Sequence, residues 1–179
     1  MHLRETQASD FDDQVRWSGL DAEWKLWDAP WAPSTPLNQS ARAKWVSRHV
    51  TDRVAGSVSS RMEIDFDDRH VGSVHWSWAE GWVDNQQDWP DVGIVIAESA
   101  HWSRGIGVAA LQNWIDLLFS SLGSRRLALA TWSGNTRMIR VAERLGFAEE
   151  ARFREARLVR GERYDALRFG LLRDEWESR

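Results

Sequence analysis

The most regular alternation of apolar and polar positions lies in the second half of the chain. Residues 91–97 (DVGIVIA) form a short, continuous apolar run, the pattern of a strand buried on both faces. Val108, Leu111, Ile115, Leu118, Phe119 and Leu122 follow at i, i+3, i+4 spacing and predict a helix over 105–122 that Gly123 ends. Residues 126–132 predict another strand. Residues 135–145 predict a helix with Met138, Val141, Ala142 and Leu145 inward, stopped at Gly146. Two long alternating stretches, 147–159 and 162–172, are expected to turn at Arg160-Gly161.

The first half is less regular. Residues 2–5 fit a short strand, and Ser9 or Asp10 can cap a helix running toward Trp27. Pro30, Pro33 and Pro36 then break the chain before a second helix over 38–49. Residues 57–65 and 70–78 read as a hairpin turning at Asp67-Asp68, and 80–90 as a polar, Trp-bearing loop. The order of the second half, β–α–β–α–β–β, calls for an α/β fold with helices packed on a mixed sheet.

Length and composition narrow this further. The 179 residues suit one domain over 1–179. No run approaches the roughly 20 apolar residues of a membrane span, and the polar, acidic start does not read as a signal peptide. The absence of cysteine excludes disulfides, thiolate metal ligands and a cysteine nucleophile. The expectation is a cytoplasmic protein with no metal and no membrane partner. A net charge of −4 argues against a nucleic-acid partner. Only Lys25 and Lys44 of the 23 basic residues are lysines, and 13 tryptophans stand against one tyrosine, Tyr164. Tryptophan serves cores and ligand pockets alike.

The chemistry concentrates in residues 94–108 (IVIAESAHWSRGIGV), where a buried strand turns through Arg104-Gly105-Ile106-Gly107 into a helix. Glycines admit a ligand close to the backbone, and the first N–H groups of a helix lack intrahelical partners. Those donors and the positive helix end suit a pyrophosphate, with Arg104 as a charged donor. A glycine pair needed only for a tight turn is the plainer alternative. The third glycine of a dinucleotide-binding turn is missing, since Ala110 stands there, and no Gly-Lys-Ser/Thr follows for a P-loop. Asn135 is likewise a good N-cap on spacing alone.

Three motifs in order carry a resemblance. They are Trp102-Ser103-Arg104-Gly105-Ile106-Gly107, then Asn135-Thr136-Arg137-Met138 with Val141 to Phe147, then Tyr164-Asp165 with Gly170 to Trp176. Together they resemble the GCN5-related N-acetyltransferases (GNAT), in the branch of the RimJ/RimL ribosomal-protein N-terminal acetyltransferases. The resemblance implies a mostly antiparallel sheet of 6–7 strands flanked by about four helices, splayed between the 91–97 and 126–132 strands. It implies acetyl-CoA as co-substrate. The pantetheine arm would pair with the backbone of Val95, Ile96 and Ala97. The turn from Trp102 and Ser103 through Arg104, Gly105, Ile106, Gly107 and Val108 would hold the pyrophosphate. Asn135 would contact the arm, and Arg140 would reach phosphate. The reaction implied is direct attack of an amine on the thioester, and family members often form homodimers.

The family pattern also fails in places. The tyrosine acid expected four residues before Gly146-Phe147 is Ala142, and a serine found in some members is Met138. Asp91, fourteen residues before Gly105, matches a catalytic carboxylate of the superfamily and is the candidate base. An aspartate paired with a nearby arginine is the competing reading, and Glu98 and His75 are the other candidates. The acceptor, a peptide or small-molecule amine, is expected against Trp31, Trp82, Trp89 and Tyr164. Trp24, Trp27 and the acidic Asp28 and Asp84 belong to the same regions, suited to a cationic amine through cation–π contact, although filling a core is the plainer reading of the tryptophans. A non-catalytic acyl-CoA sensor is the alternative function.

Overall fold

The computed structural model describes residues 1–19, 21–33, 35–51, 57–79 and 89–179. Seven strands form one sheet: β1 (His2–Glu5), β2 (Arg61–Phe66), β3 (Arg69–Trp78), β4 (Pro90–Ile96), β5 (Arg126–Trp132), β6 (Ala148–Val159) and β7 (Glu162–Leu172). Their order is β1-β2-β3-β4-β5-β7-β6. Among the described residues the α-helices are α1 (Asp10–Trp17), α2 (Arg42–Val46), α3 (Ile106–Leu122), α4 (Thr136–Arg144) and α5 (Arg173–Glu177). None is long and apolar enough to cross a membrane.

Both hairpins turn where the sequence placed them. Asp67 and Asp68 (φ 50° and 57°) and Arg160 and Gly161 (φ 52° and 85°) all take left-handed conformations. Two successive positive φ values give a turn whose twist matches that of the strands. The core forms where α3 lays its apolar stripe on the sheet. Leu111, Trp114, Ile115 and Leu118 are fully buried, against Ile64, Val74, Leu127 and Leu171 among others.

The first half departs from expectation. The helix predicted toward Trp27 stops at Trp17, and a 3-10 turn, Glu23–Leu26, follows. Ser18 ends it: its hydroxyl donates to the Val15 carbonyl (2.9 Å) and accepts the Leu37 N–H (2.7 Å). Such side-chain bonds compete with continuation of a helix. The predicted 38–49 helix is broken into a 3-10 turn, α2 and a π-turn.

β4 and β5 run parallel but share a single registered pair, Asp91 with Ala128. Beyond it they diverge, so the sheet is splayed between these strands. The phase of β4 follows from its other neighbour. The Ala97 N–H bonds the Val71 carbonyl (2.9 Å), and Ala79 N–H bonds the Trp89 carbonyl (2.9 Å). Backbone groups alternate sides along a strand, so the odd-numbered residues 91–97 face β3. Those of Val92, Ile94 and Ile96 face the opening.

A buried ionic network ties β1, β2, β3 and α1 together. Glu63, with no exposed surface, accepts from Thr6 (2.8 Å), Arg61 (2.6 Å) and the His70 Nε2 (2.9 Å). The His70 Nδ1 lies 2.8 Å from Asp13. Facing carboxylates at both nitrogens, the ring is an imidazolium. Burial opposes that charge, but Glu63, Asp13 and Asp10 outweigh it and raise the His70 pKa. A raised folded-state pKa stabilises the fold fully below the ordinary histidine value, and the contribution is lost as pH rises through the folded value. His70→Gln is expected to cost about 1–3 kcal/mol below pH ~6. It should also abolish the alkaline-side decline. Urea melts of both proteins across pH 5–9 check this, and parallel pH profiles would refute it.

Candidate active site

A cleft of about 500 Å³ opens where β4 and β5 part. It is bounded by the β4–α3 turn, one face of α4, and residues Trp24, Trp27 and Asp28. At its α3 end, Ser103 and Gly105 are both left-handed (φ 59° and 81°). The first helical bond into α3 runs from the Ala109 N–H to the Gly105 carbonyl, and no side chain caps the helix. The N–H groups of Ile106, Gly107 and Val108 are therefore left over, beside the cleft they line. A Cβ at Gly107 would meet nothing nearer than Ile94 Cδ1 at 3.9 Å. Folding thus does not demand glycine there.

α4 supplies the opposite positive wall. Arg137, Arg140 and Arg144 all line the cleft, at helical i, i+3, i+7 spacing. The Arg137 guanidinium sits between two indoles, 4.0 Å from Trp27 and 4.4 Å from Trp102. Trp102 is fixed by donating its Nε1 to the Ile96 carbonyl (2.8 Å). Asn135 does cap α4, accepting the Met138 N–H at 3.1 Å. Its amide also donates to the Trp27 carbonyl (3.1 Å), which the Trp132 Nε1 shares (2.7 Å). One amide hydrogen of Asn135 is not engaged by these bonds.

Asp91 lies at the closed end of the splay. Arg168 of β7 meets both of its oxygens, at 2.7 and 3.0 Å. It reaches across β5 because that strand presents Ala128 and Ala130 on this face. Burial raises the Asp91 pKa above the ordinary aspartate value, and Arg168 and Arg126 pull it partly back. His75 shares this face of β3, with its ring across Gly93, where a Cβ would stand 2.3 Å from Nε2. The ring is open to the cleft yet walled by protein; that desolvation, with the charge of Arg61, lowers its pKa to about 4.

Several sequence-chosen residues take other places. Val95 and Ala97 direct their backbone groups to β3, and the Ile96 carbonyl is taken by Trp102. The groups facing the cleft are the Val92 carbonyl, both groups of Ile94 and the Ile96 N–H, one residue out of phase with the Val95 and Ala97 expectation. The Arg104 guanidinium lies over Phe66 (4.8 Å), leaving only its backbone for the turn. Trp89 stacks on Arg126 (4.0 Å) and Arg168 (5.5 Å), behind Asp91 rather than on the cleft wall. Trp31 packs edge-on against Trp132, as does Tyr164. The Tyr164 hydroxyl donates to Glu162, which raises its pKa and makes it a poorer acid. Glu98 is held by Arg16 at 2.5 Å. Trp82 and Asp84 lie outside the described residues.

The match to known proteins agrees with this geometry. The acetyltransferase (GNAT) domain model matches residues 1–148, and the chain belongs to that family. GNAT enzymes are acetyl-CoA-dependent N-acetyltransferases. A Bacillus subtilis (strain 168) protein, "Putative ribosomal N-acetyltransferase YdaF", is 34% identical over 88 residues. That match spans 49% of this chain and 48%, about half, of the relative. The chain also superposes on RimL, the ribosomal L7/L12 alpha-N-protein acetyltransferase in complex with coenzyme A. There the TM-score is 0.74 at 16% identity, over 97% of this chain and 94% of that one. The spermidine N-acetyltransferase of Vibrio cholerae, with CoA and spermine, gives 0.74 at 16% identity over 98% and 97%. The two superpositions show a shared fold, and the Bacillus subtilis relative agrees with the RimJ/RimL-like branch that the motifs suggested.

Proposed function

We propose that this chain binds acetyl-CoA along the splay and passes its acetyl group directly to an amine, with Asp91 as general base. The single observation that carries the reading is the cleft itself. It joins unpaired helix N–H groups and arginines at one end to a desolvated carboxylate at the other. The chemistry of the donors fits the co-substrate: the leftover N–H groups of Ile106, Gly107 and Val108, with Arg140, suit pyrophosphate. The Val92 carbonyl and the backbone groups of Ile94, with the Asn135 amide, suit the amide-bearing arm. Bound acetyl-CoA supplies an activated acyl carbon: a bond from the amine nitrogen to it forms, its bond to sulfur breaks, and the thiolate leaves.

The chain's own part is to orient the acceptor and take its proton. Asp91, held ionised by Arg168 yet raised by burial, accepts the ammonium proton directly or through one water. The thiolate takes its proton from solvent, since Ala142 stands where other members place a tyrosine. The acceptors in the relatives' names, ribosomal proteins and spermidine, carry amino groups, which supports an amine here. For a homodimer, the edge strand β6 with exposed Phe153 and Leu158 is the face that pairing would cover.

Thiol release from acetyl-CoA across an amine panel, with mass spectrometry of the acceptor, tests the reading. Release with at least one amine and acetylation of that amine is expected. Tight binding of acetyl-CoA without release for any amine would favour the non-catalytic sensor.

A further inference from the structure

Four carboxylates packed about the sheet are each matched by an arginine, and one on the cleft wall is not. Asp10 pairs with Arg4, Glu63 with Arg61, Asp91 with Arg168 and Glu98 with Arg16. Asp28 also lines the cleft, and among the described residues its carboxylate has no hydrogen bond or ion pair. Its backbone is fixed: its N–H bonds the Trp24 carbonyl at 3.1 Å, and Ala29 follows in a left-handed conformation (φ 44°). A non-glycine residue held there stores strain that the surroundings must impose. Trp24, whose Nε1 is fixed by the Trp17 carbonyl (2.9 Å), and Trp27 flank it on the wall. Its side chain is open to the cleft, and the protein walls around it raise its pKa.

A carboxylate on a cleft wall without a cation of its own is a site for a cation brought by a ligand. Which cation is decided by the chemistry of the attack. The reacting nitrogen must be neutral when it bonds to carbon, and a carboxylate fixed beside it would hold it as ammonium. In the reading above Asp91 removes that proton, so Asp28 serves a charge that persists through the reaction. We propose that Asp28 is a specificity residue that selects acceptors bearing a second positive charge, several bonds from the amine that is acetylated. This rests on the proposed acetyl transfer; Trp24 and Trp27 wall the seat, each already carrying a protein cation on one face, Lys25 at 5.8 Å and Arg137 at 4.0 Å.

The test compares 1,4-diaminobutane with 1-aminobutane, which lacks only the second ammonium. The diamine is expected to show a kcat/KM higher by about 10- to 100-fold, mostly through KM. Asp28→Asn should collapse the ratio toward one, and Asp28→Glu should restore part of it. The carboxylate makes no hydrogen bond or ion pair among the described residues, so these variants are expected to fold. Calorimetric titration of both amines into the protein with CoA gives a readout independent of turnover, with the same preference expected. Equal binding and equal kcat/KM for the two amines would overturn the proposal. So would an Asp28→Asn enzyme that loses kcat equally for both and loses the acidic limb of its pH profile, because Asp28 would then be the base. Failure of every amine to release thiol, with diamine preference retained in calorimetry, would count against acetyl transfer and leave this selectivity standing.

Discussion

Asp91→Asn is expected to lower kcat by about 10²–10⁴-fold, the usual worth of a general base. The substitution is nearly isosteric and keeps a hydrogen-bond acceptor for Arg168, but it removes the negative charge. Some stability will be lost with that ion pair, so a rate loss alone would not separate catalysis from structure. The pH profile does. In the parent enzyme kcat should fall on the acidic side as Asp91 protonates, and in Asp91→Asn that limb should vanish. Arg168→Gln adds an opposite signature. Arg168 lowers the Asp91 pKa, so its loss should move the acidic limb to higher pH while the limb persists. His75 is the rival on the same sheet face, but a pKa of about 4 makes it a weak base. An Asp91→Asn enzyme with kcat within about threefold of the parent, roughly 0.7 kcal/mol of barrier, and an unmoved acidic limb would transfer the role to His75.

The elements that sequence periodicity located are those whose stability is local or repetitive. The helix over 105–122 and the two hairpins carry their own stripe, stop and turn residues, and each appears within a residue or so of its expected bounds, except that β2 begins at Arg61 rather than at 57. The splay was legible only through the resemblance, because nothing in the 91–97 run states where pairing with β5 ends. The same holds for the phase of β4. Which residues turn their backbone toward the opening is set by the register with β3, a contact distant in sequence. An apolar run with no polar alternation cannot report it, and Val95 and Ala97 were chosen one residue out of step. The premature end of α1 depends on Ser18 bonding both Val15 and Leu37, again a tertiary matter. Trp89 looked like a ligand residue because it lies in a polar segment; its partners are two arginines from distant strands. Arg137 and Arg144 could have been found, since their spacing with Arg140 places all three on one helical face. Asp28 had a signal too, an acid amid tryptophans, but only the structure shows that it lacks an arginine.

Gly107→Val is expected to abolish measurable acetyl-CoA binding, a loss on the order of 100-fold or more, in a protein that still folds. The two glycines of the turn separate cleanly on physical grounds. Gly105 has φ 81°, where any side chain is strained, so Gly105→Ala should cost stability of roughly 1–2 kcal/mol. Gly107 carries no such constraint, and its Cβ would find only an ordinary contact at 3.9 Å. Replacing glycine in a helix's first turn even favours the helix slightly, because the unfolded chain loses freedom. Valine's two methyl groups would occupy the space over the N–H groups of Ile106, Gly107 and Val108. Each charge-assisted bond so displaced is worth about 1.5–3 kcal/mol, so losing two exceeds the 2.7 kcal/mol of a hundredfold change. Calorimetric titration of acetyl-CoA, with circular dichroism and melting temperature as the fold control, checks both variants. Gly107→Ala, smaller by two methyls, should fall between. A folded Gly107→Val protein with parental affinity would place the pyrophosphate away from the α3 N-terminus, and the arginines of α4 would then have to hold it alone.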